Sequence, residues 1–218
     1  MCDLIMGKID ILSHRGVWQN AGEKNTFNAI QLSCEMGYGV ETDIRDGNND
    51  LIIAHDPFPK EILYLERILE MFRSKNYTFP LALNIKSDGL AERLQALLKT
   101  YEIENYFCFD MSVPEGLQYQ RIGLKVYNRL SEYETQPFVY RDAKGVWLDE
   151  FHGEWFDKDT FKSFNDTSTQ ICVVSPELHG RDYKVRWETL KKLTVELPSY
   201  RWQLCTDFPD KAQEFFHE

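Results

Sequence analysis

The sequence lacks any surplus of basic residues. Its 218 residues include 25 Lys and Arg against 35 Asp and Glu, which gives a formal net charge of −10 at pH 7. No run of Lys or Arg interrupts this acidic balance. A nucleic-acid-binding surface normally needs such a basic patch, and anionic membranes attract basic segments. We therefore expect no nucleic-acid partner and no adhesion to anionic membranes by charge alone.

Long apolar runs are also missing. No stretch approaches the ~20 apolar residues that a membrane span requires. The first eight residues have neither a basic segment nor a sustained apolar segment, so no signal peptide is indicated. No internal repeat, low-complexity tract or linker divides the chain, whose length suits one domain or a small barrel. We expect a cytoplasmic protein without stable membrane insertion, with a single domain over residues 1–218.

Cysteines are few, and their spacing along the sequence suggests no pairs. The five cysteines are an odd number, and no C-x-x-C pair occurs. Three of them lie within apolar, strand-like runs. This pattern argues against a disulfide framework and against a thiolate metal site, and we interpret the cysteines as reduced thiols of a cytosolic core. They are Cys2, Cys34, Cys108, Cys172 and Cys205.

No glycine-rich phosphate fingerprint follows the first predicted strand, which leaves a doubly wound open sheet as the weaker alternative. Short apolar strands instead alternate with amphipathic helices about eight times, with one poorly defined step around 132–144. Eight such units close an α/β barrel of the TIM (β/α)8 type, in which the last strand pairs with the first. The predicted strands are Ile9–Leu12, a run ending at Val40, Leu51–Ala54, Leu81–Ile85, Tyr106–Phe109, Leu124–Tyr127, Val146–Leu148, Ile171–Val174 and Trp202–Cys205. The predicted helices are one that Thr26 caps and that runs to about Met36, Glu61–Phe72, Leu90–Tyr101 with Asp88 as its cap, Pro114–Arg121, Asp157–Phe164, Arg186–Leu197 and a last one from Pro209.

Side chains capable of chemistry follow three of the early strands. His14 comes after the first strand, Glu41 and Asp43 belong to the second, and His55 follows the third. Glu41 and Asp43 are two residues apart, so both project from the same strand face. An α/β barrel holds its active site at the carboxyl ends of its strands. We expect these four side chains to converge on one mouth.

The motifs, taken in order, resemble those of the glycerophosphodiester phosphodiesterases, which belong to the phospholipase-C-like phosphodiesterase barrels. The resemblance covers nearly the whole chain and is most specific in its first third. It rests on Ser13-His14-Arg15-Gly16, Asn25-Thr26, Glu41-x-Asp43, His55-Asp56, a strand ending at Lys86, and Thr206-Asp207-Phe208-Pro209.

The resemblance implies a barrel that cleaves a phosphodiester with a bound divalent cation, Mg²⁺ or Ca²⁺, and two histidines. One imidazole would take a proton from the attacking oxygen while the other gives one to the leaving oxygen. Water or a hydroxyl adjacent to the phosphate could attack, the latter giving a cyclic phosphate. By their positions in the motifs, His14 and His55 match the family's acid–base pair. Glu41, Asp43 and Asn84 match the positions of its metal ligands. Arg15 and Lys86 match the basic residues near its phosphate.

Three departures from the family pattern bear on function. Asn84 stands where the family has a third carboxylate, so metal affinity should fall unless Asp110, Asp149 or Glu150 helps. Lys24 stands where the family usually has Glu before Asn-Thr. The family's capping insertion after His-Asp is missing here, which suggests an open mouth and a different leaving group. The substrate would be a glycerophosphodiester-like or sugar-linked small-molecule phosphodiester.

Two other readings remain open. The loss of a carboxylate at Asn84 fits a non-catalytic barrel that binds a phosphorylated ligand. A metal-independent lyase would replace the cation with basic residues, and the presence of both Glu41 and Asp43 counts against it. Glu177, just past a strand end, is a candidate for substrate binding. We expect no catalytic part for His152 and His179, which lie in polar loops.

Overall fold

The computed structural model describes residues 9–135, 142–164 and 169–217, which form nine strands and seven α-helices. The strands are β1 (Ile9–His14), β2 (Gly39–Gly47), β3 (Asp50–Ile53), β4 (Leu81–Ile85), β5 (Tyr106–Phe109), β6 (Tyr127–Leu130), β7 (Gly145–Leu148), β8 (Gln170–Val174) and β9 (Trp202–Thr206). The helices are α1 (Phe27–Glu35), α2 (Leu65–Lys75), α3 (Ala91–Thr100), α4 (Val113–Arg121), α5 (Lys158–Ser163), α6 (Lys184–Glu196) and α7 (Pro209–His217).

Eight parallel strands form a nearly closed barrel, which confirms the predicted TIM-type fold. The strands follow the order β5-β4-β2-β1-β9-β8-β7-β6. The first and last strands pair as predicted, with Ile9 opposite Trp202. Between β5 and β6 the barrel is joined by a bridge from Cys108 to Val126. The strand β3 turns back antiparallel to β2 and lies off this path.

Two predicted boundaries were wrong for identifiable reasons. β6 begins at Tyr127, three residues later than predicted, and its later part was missed because Asn128 and Arg129 interrupt the apolar pattern. Helix α2 begins at Leu65 rather than Glu61. The backbone just before it pairs with β3 instead, since Ile53 N–H donates to the carbonyl of Leu63.

Predicted helix caps had mixed outcomes. Thr26 caps α1 as expected, because its side chain accepts the backbone N–H of Ala29. Asp157, which was predicted as the first residue of its helix and not as a cap, is the N-cap of α5. Asp88 does not cap α3, whose N-cap is Leu90; the Asp88 carboxylate accepts the Ser112 hydroxyl instead.

The barrel interior is packed by side chains from alternate strand positions. Phe107 stacks on Tyr127 and Phe109 stacks on Trp147. Two further apolar clusters lie between the strands and the helices. The interior cluster consists of Leu12, Ala82, Phe107, Phe109, Tyr127, Trp147, Cys172, Val174 and Cys205. Cys34, Cys108, Cys172 and Cys205 are free and buried, as predicted, and Cys2 lies outside the described residues.

Strand alternation aims a set of polar residues into the mouth. The next inward position toward the carboxyl end lies two residues beyond each interior apolar residue. His14 follows Leu12 in this way, Arg129 follows Tyr127, and Asp149 follows Trp147. The other members of the set are Asn84, after Ala82, and Asp207, after Cys205. The fold therefore gathers polar groups from several strands at one end of the barrel.

Within the described residues, none of the helices combines the length and apolarity needed to cross a membrane.

Candidate active site

His14, at the end of β1, is held by a carboxylate from the far end of the chain. Its Nδ1 lies 2.6 Å from Oδ1 of Asp207, just past β9. Burial would raise the pKa of Asp207, but hydrogen bonding and charge from His14, together with Lys24, hold that pKa below its usual value. An ionised carboxylate can only accept, so Nδ1 must donate. The neutral tautomer therefore leaves Nε2 of His14 as an open acceptor.

The open nitrogen of His14 faces the predicted metal-binding side. Its Nε2 lies 3.9 Å from Oε2 of Glu41 on the neighbouring strand. Burial lowers the pKa of His14, and the hydrogen bond that its Nδ1–H donates to Asp207 opposes part of that shift. The imidazole is thus neutral near pH 7 and can receive a proton.

Asp43 is surrounded by nitrogen donors. Nε of Arg15 lies 2.8 Å from one carboxylate oxygen, and Nζ of Lys86 lies 3.5 Å from the other. The amide nitrogen of Asn25 donates to Asp43 at 2.7 Å, and Thr42 fixes Asn25 by donating to its oxygen. The two basic residues predicted to bind phosphate therefore lie beside the predicted metal ligand, and compensate its buried charge.

Glu41 is fully buried beside Asp43. Burial, followed by the negative charge of Asp43, raises the pKa of Glu41 to about 8, against the charges of Arg15 and Lys86 and the amide of Asn84. Without an additional cation this carboxyl group holds a proton at neutral pH. A cation placed here would let it ionise.

Buried oxygens without hydrogen-bond partners show whether a metal fits between Glu41, Asp43 and Asn84. Oε2 of Glu41, Oδ1 of Asp43 and Oδ1 of Asn84 are all buried without a hydrogen-bond partner. Asp43 and Asn84 are register partners on adjacent strands, which brings their side chains to the same level of the barrel. Hard divalent cations prefer oxygen ligands of this kind. The donor set therefore suits Mg²⁺ or Ca²⁺ in type.

The charge count of this oxygen set is low. Among the described residues no three His, Cys, Asp or Glu side chains are arranged to hold a metal. The third carboxylate is missing because position 84 is Asn, whose amide oxygen carries no charge. The carboxylates expected to help are already paired with other groups: Asp110 with Lys86 and Arg129, Asp149 with His179, and Glu150 with Arg186.

A chain of ion pairs continues around the mouth from Lys86. Its Nζ lies 3.3 Å from Asp110, whose other oxygen accepts from Arg129 on β6. Burial lowers the pKa of Arg129, but the hydrogen bond to Glu134 and the charges of Asp110, Glu134 and Asp149 raise that pKa overall. Asp149 pairs with Nε2 of His179 at 2.5 Å. A series of polar contacts thus runs around the mouth from Lys86 to the segment after β8.

Sequence reasoning missed several of these groups. Arg129 lay beyond the end of the predicted strand Leu124–Tyr127, whereas the structure has it within β6. His179 was expected to be a loop histidine, yet it is paired at the mouth. The role of Asp207 could have been found from its position, since it directly follows a predicted strand. Glu177, a candidate for substrate binding, accepts from the hydroxyl of Thr206 and the N–H of Asp207, which anchors its turn.

His55 lies at the rim rather than inside the ring of charges. Its Nδ1 lies 2.8 Å from Asp56, and about half of its side chain is exposed. It lines a cleft of about 850 Å³ together with Arg15, Lys24 and Asn25. The contacts of its side chain run to Asp56, so the expected pairing with His14 stays a prediction.

Two strand ends have unusual backbone conformations. Arg15, directly after β1, has a φ of 65°, and Asp110, directly after β5, has a φ of 70°. Non-glycine residues in the left-handed region are uncommon and concentrate at functional sites. Both residues carry charges that face the same mouth.

Solved structures with the same architecture can now be compared. A protein assigned as a glycerophosphoryl diester phosphodiesterase from Silicibacter pomeroyi superposes with a TM-score of 0.73 at 11% identity, covering 98% of this chain and 95% of that one. The glycerophosphodiester phosphodiesterase of Agrobacterium tumefaciens gives 0.72 at 15% identity, covering 97% and 100%. This chain has the fold of the glycerophosphodiester phosphodiesterase structures.

A third similar structure carries a ligand. It is a phosphodiesterase of Oleispira antarctica in complex with the product sn-glycerol-3-phosphate, with a TM-score of 0.66 at 15% identity over 96% of this chain and 97% of that one. No protein-family model and no curated protein matches the sequence. The structural likeness confirms the expected fold at full length.

Proposed function

We propose that this protein is a phosphodiesterase acting on a glycerophosphodiester-like or sugar-linked small-molecule phosphodiester. The observation that carries the proposal is the partly buried dyad of His14 and Asp207, in which the open Nε2 of His14 faces Glu41. A neutral imidazole with a fixed tautomer is the group that general-base catalysis needs near pH 7. Basic side chains for a phosphate lie on the adjacent strands.

In this proposal each residue has a separate task. His14 takes the proton from the attacking oxygen at Nε2, while Asp207 keeps its tautomer and stabilises the imidazolium. Arg15 and Lys86 bind the non-bridging phosphate oxygens, whose negative charge grows as the new bond forms. His55 gives a proton to the leaving oxygen from the rim of the cleft.

Glu41, Asp43 and Asn84 would hold a divalent cation through their buried oxygens that lack a hydrogen-bond partner. Such a cation, when bound, neutralises charge on the phosphate oxygens. The support for it is that a buried oxygen of each of these three residues lacks a hydrogen-bond partner, together with the raised pKa of Glu41. The cation would also remove the need for Glu41 to keep its proton.

The test is turnover of glycerophosphocholine by the purified protein, followed by phosphorus-31 NMR. We expect sn-glycerol 3-phosphate or a cyclic phosphate to form with Mg²⁺, Mn²⁺ or Ca²⁺, and turnover to fall on addition of EDTA. Full activity in EDTA would instead support the metal-independent lyase, in which Arg15 and Lys86 supply the positive charge. No turnover of any phosphodiester would contradict the proposal.

A second candidate function is binding of a phosphorylated ligand without catalysis. The neutral Asn84 and the occupation of Asp43 by Arg15 and Lys86 favour it. Isothermal titration calorimetry with sn-glycerol 3-phosphate separates the two functions. Binding without turnover at any metal concentration would support this reading.

A further inference from the structure

The segment between β3 and α2 builds one wall of a cleft that opens beside the candidate site. This cleft, of about 850 Å³, extends from Arg15, Lys24 and His55 to residues 57–63. Its volume lies toward the upper end of the range for sites that enclose drug-sized ligands, about 300–1,000 Å³. A small alcohol such as glycerol would occupy a minor part of it.

The wall built by residues 57–63 carries exposed apolar side chains on either side of the charged Lys60 and Glu61. Phe58 is 97% exposed and Ile62 is 48% exposed. Phe27 and Leu63 continue this surface along the cleft. The side chain of Phe27 is fixed because the guanidinium of Arg67 lies 4.1 Å from its ring centroid. An apolar surface of this kind beside a polar site is a ligand-binding feature.

The backbone at Phe58 gives a second, independent indication. Its φ is 58°, although a bulky residue rarely adopts the left-handed region. Prolines at positions 57 and 59 confine the chain on both sides of it. Strain of this kind persists where function or surrounding structure requires it. Here it holds an aromatic ring almost fully in solvent at the edge of the cleft.

Charge favours one orientation of an occupant, because at the other wall Lys60 is followed directly by Glu61 and the guanidinium of Arg67 lies over the ring of Phe27. The guanidinium of Arg15 and the ammonium of Lys24 lie at the end next to Asp43 and Asp207. An anionic phosphate belongs at that end, and the remaining length of the cleft then faces one of the two esterifying alcohols. The apolar wall suits an alkyl chain or ring on that alcohol.

We propose that the cleft binds the apolar arm of an amphiphilic phosphodiester, a diester in which one alcohol carries an extended apolar chain. The proposal rests on the proposed phosphodiesterase function and narrows its substrate class. The apolar arm would lie along Phe27, Phe58 and Ile62. Cleavage of one P–O bond by water would leave a phosphate monoester and a free alcohol.

The test uses the methyl, butyl and octyl esters of sn-glycerol 3-phosphate as monomers in solution. Full burial of a methylene stabilises by ~0.8 kcal/mol, which is about fourfold in affinity. A half-buried methylene raises affinity roughly twofold. The octyl ester has four more methylenes than the butyl ester, so we expect its kcat/KM to be higher on the order of tenfold. Phosphorus-31 NMR of the products shows which alcohol leaves. Equal kcat/KM values for the three esters would overturn the proposal.

Variants of residues in the wall show whether this wall causes the dependence of kcat/KM on chain length. We expect Phe58→Ala and Ile62→Ser to lower the octyl-to-methyl ratio of kcat/KM by about fivefold or more. Val185→Ser is the matched control, because Val185 is 72% exposed on α6, away from the cleft. An unchanged ratio in both wall variants would overturn the proposal. So would loss of binding to phosphatidylcholine vesicles in Phe58→Ala without any dependence on chain length, which would make Phe58 a membrane contact.

Binding measurements keep this proposal separate from the proposed catalysis. Calorimetry with methyl phosphate and octyl phosphate needs no turnover. If no ester is hydrolysed but octyl phosphate binds on the order of tenfold or more tightly, the phosphodiesterase assignment fails and the apolar subsite stands. If the methyl ester is hydrolysed and octyl phosphate binds no better than methyl phosphate, the subsite fails and the catalytic assignment stands.

Discussion

Nδ1 of His14 lies 2.6 Å from the carboxylate of Asp207, although 193 positions separate the two residues in the chain. The contact is possible because β1 and β9 are neighbours in the barrel. Each residue lies at or just past the carboxyl end of its strand. Barrel closure thus assembles the dyad from both ends of the sequence.

Replacing Asp207 with Asn tests the role of this dyad. The charge and hydrogen bond of Asp207 raise the pKa of His14, so their loss lowers that pKa further and moves the acid limb of the kcat profile to lower pH. The tautomer is no longer held, and we expect kcat to fall on the order of 100-fold. Asp159→Asn, an exposed carboxylate on α5, is the control. An unchanged pH profile in Asp207→Asn would contradict the positioning role.

Glu41 should make stability depend on pH in metal-free protein. Its folded-state pKa is raised to about 8 from its ordinary value of 4.5, so the folded protein keeps a proton that the unfolded chain releases. The stabilising effect of this proton is complete below pH 4.5 and is lost as pH rises toward 8. We expect the Tm in EDTA to decrease between pH 5 and pH 8, and to decrease less in Glu41→Gln. Parallel Tm curves for the two proteins would refute this.

Restoring a carboxylate at position 84 should strengthen metal binding. In Asn84→Asp, a charged oxygen replaces the neutral one opposite Asp43 on the adjacent strand. We expect the Kd for Mg²⁺ or Ca²⁺, measured by calorimetry, to fall on the order of tenfold. Asn84→Leu removes the oxygen and should weaken binding. Identical affinities in wild type and both variants would place the cation elsewhere.

Arg15 combines charge with a strained backbone at the strand end. Arg15→Gln removes the guanidinium beside Asp43, and we expect kcat/KM for a phosphodiester to fall on the order of 100-fold. Arg93→Gln is the control, because Arg93 forms an exposed ion pair on α3. Equal losses in the two variants would point to a general charge effect rather than a phosphate contact.

Much of the fold could be predicted because barrel strands buried on both faces read as apolar runs. β4 and β5 matched the structure at both ends for this reason. β6 did not, because Arg129 faces the polar mouth and interrupts the apolar pattern. The early start predicted for α2 failed because pairing with β3 overrides the helical periodicity of residues 61–64.

Only those features of the candidate site that depend on residues close together in the sequence could be predicted. The alternation rule brought Glu41 and Asp43 to one face. The partners of Asp110, Asp149 and Asp207 depend on which strands are neighbours around the barrel, and spacing along the chain does not encode that. His179 is an example: its turn reaches the mouth because Glu177 binds the end of β9.

The most direct test of the whole account is the rate of glycerophosphodiester hydrolysis by His14→Ala at saturating divalent cation. His217→Ala, which removes an exposed histidine on α7, serves as the control. Loss of the only fixed neutral imidazole facing Glu41, among the described residues, should lower kcat by about 1,000-fold or more relative to this control. Full activity in His14→Ala would show that the dyad of His14 and Asp207 does not carry the chemistry.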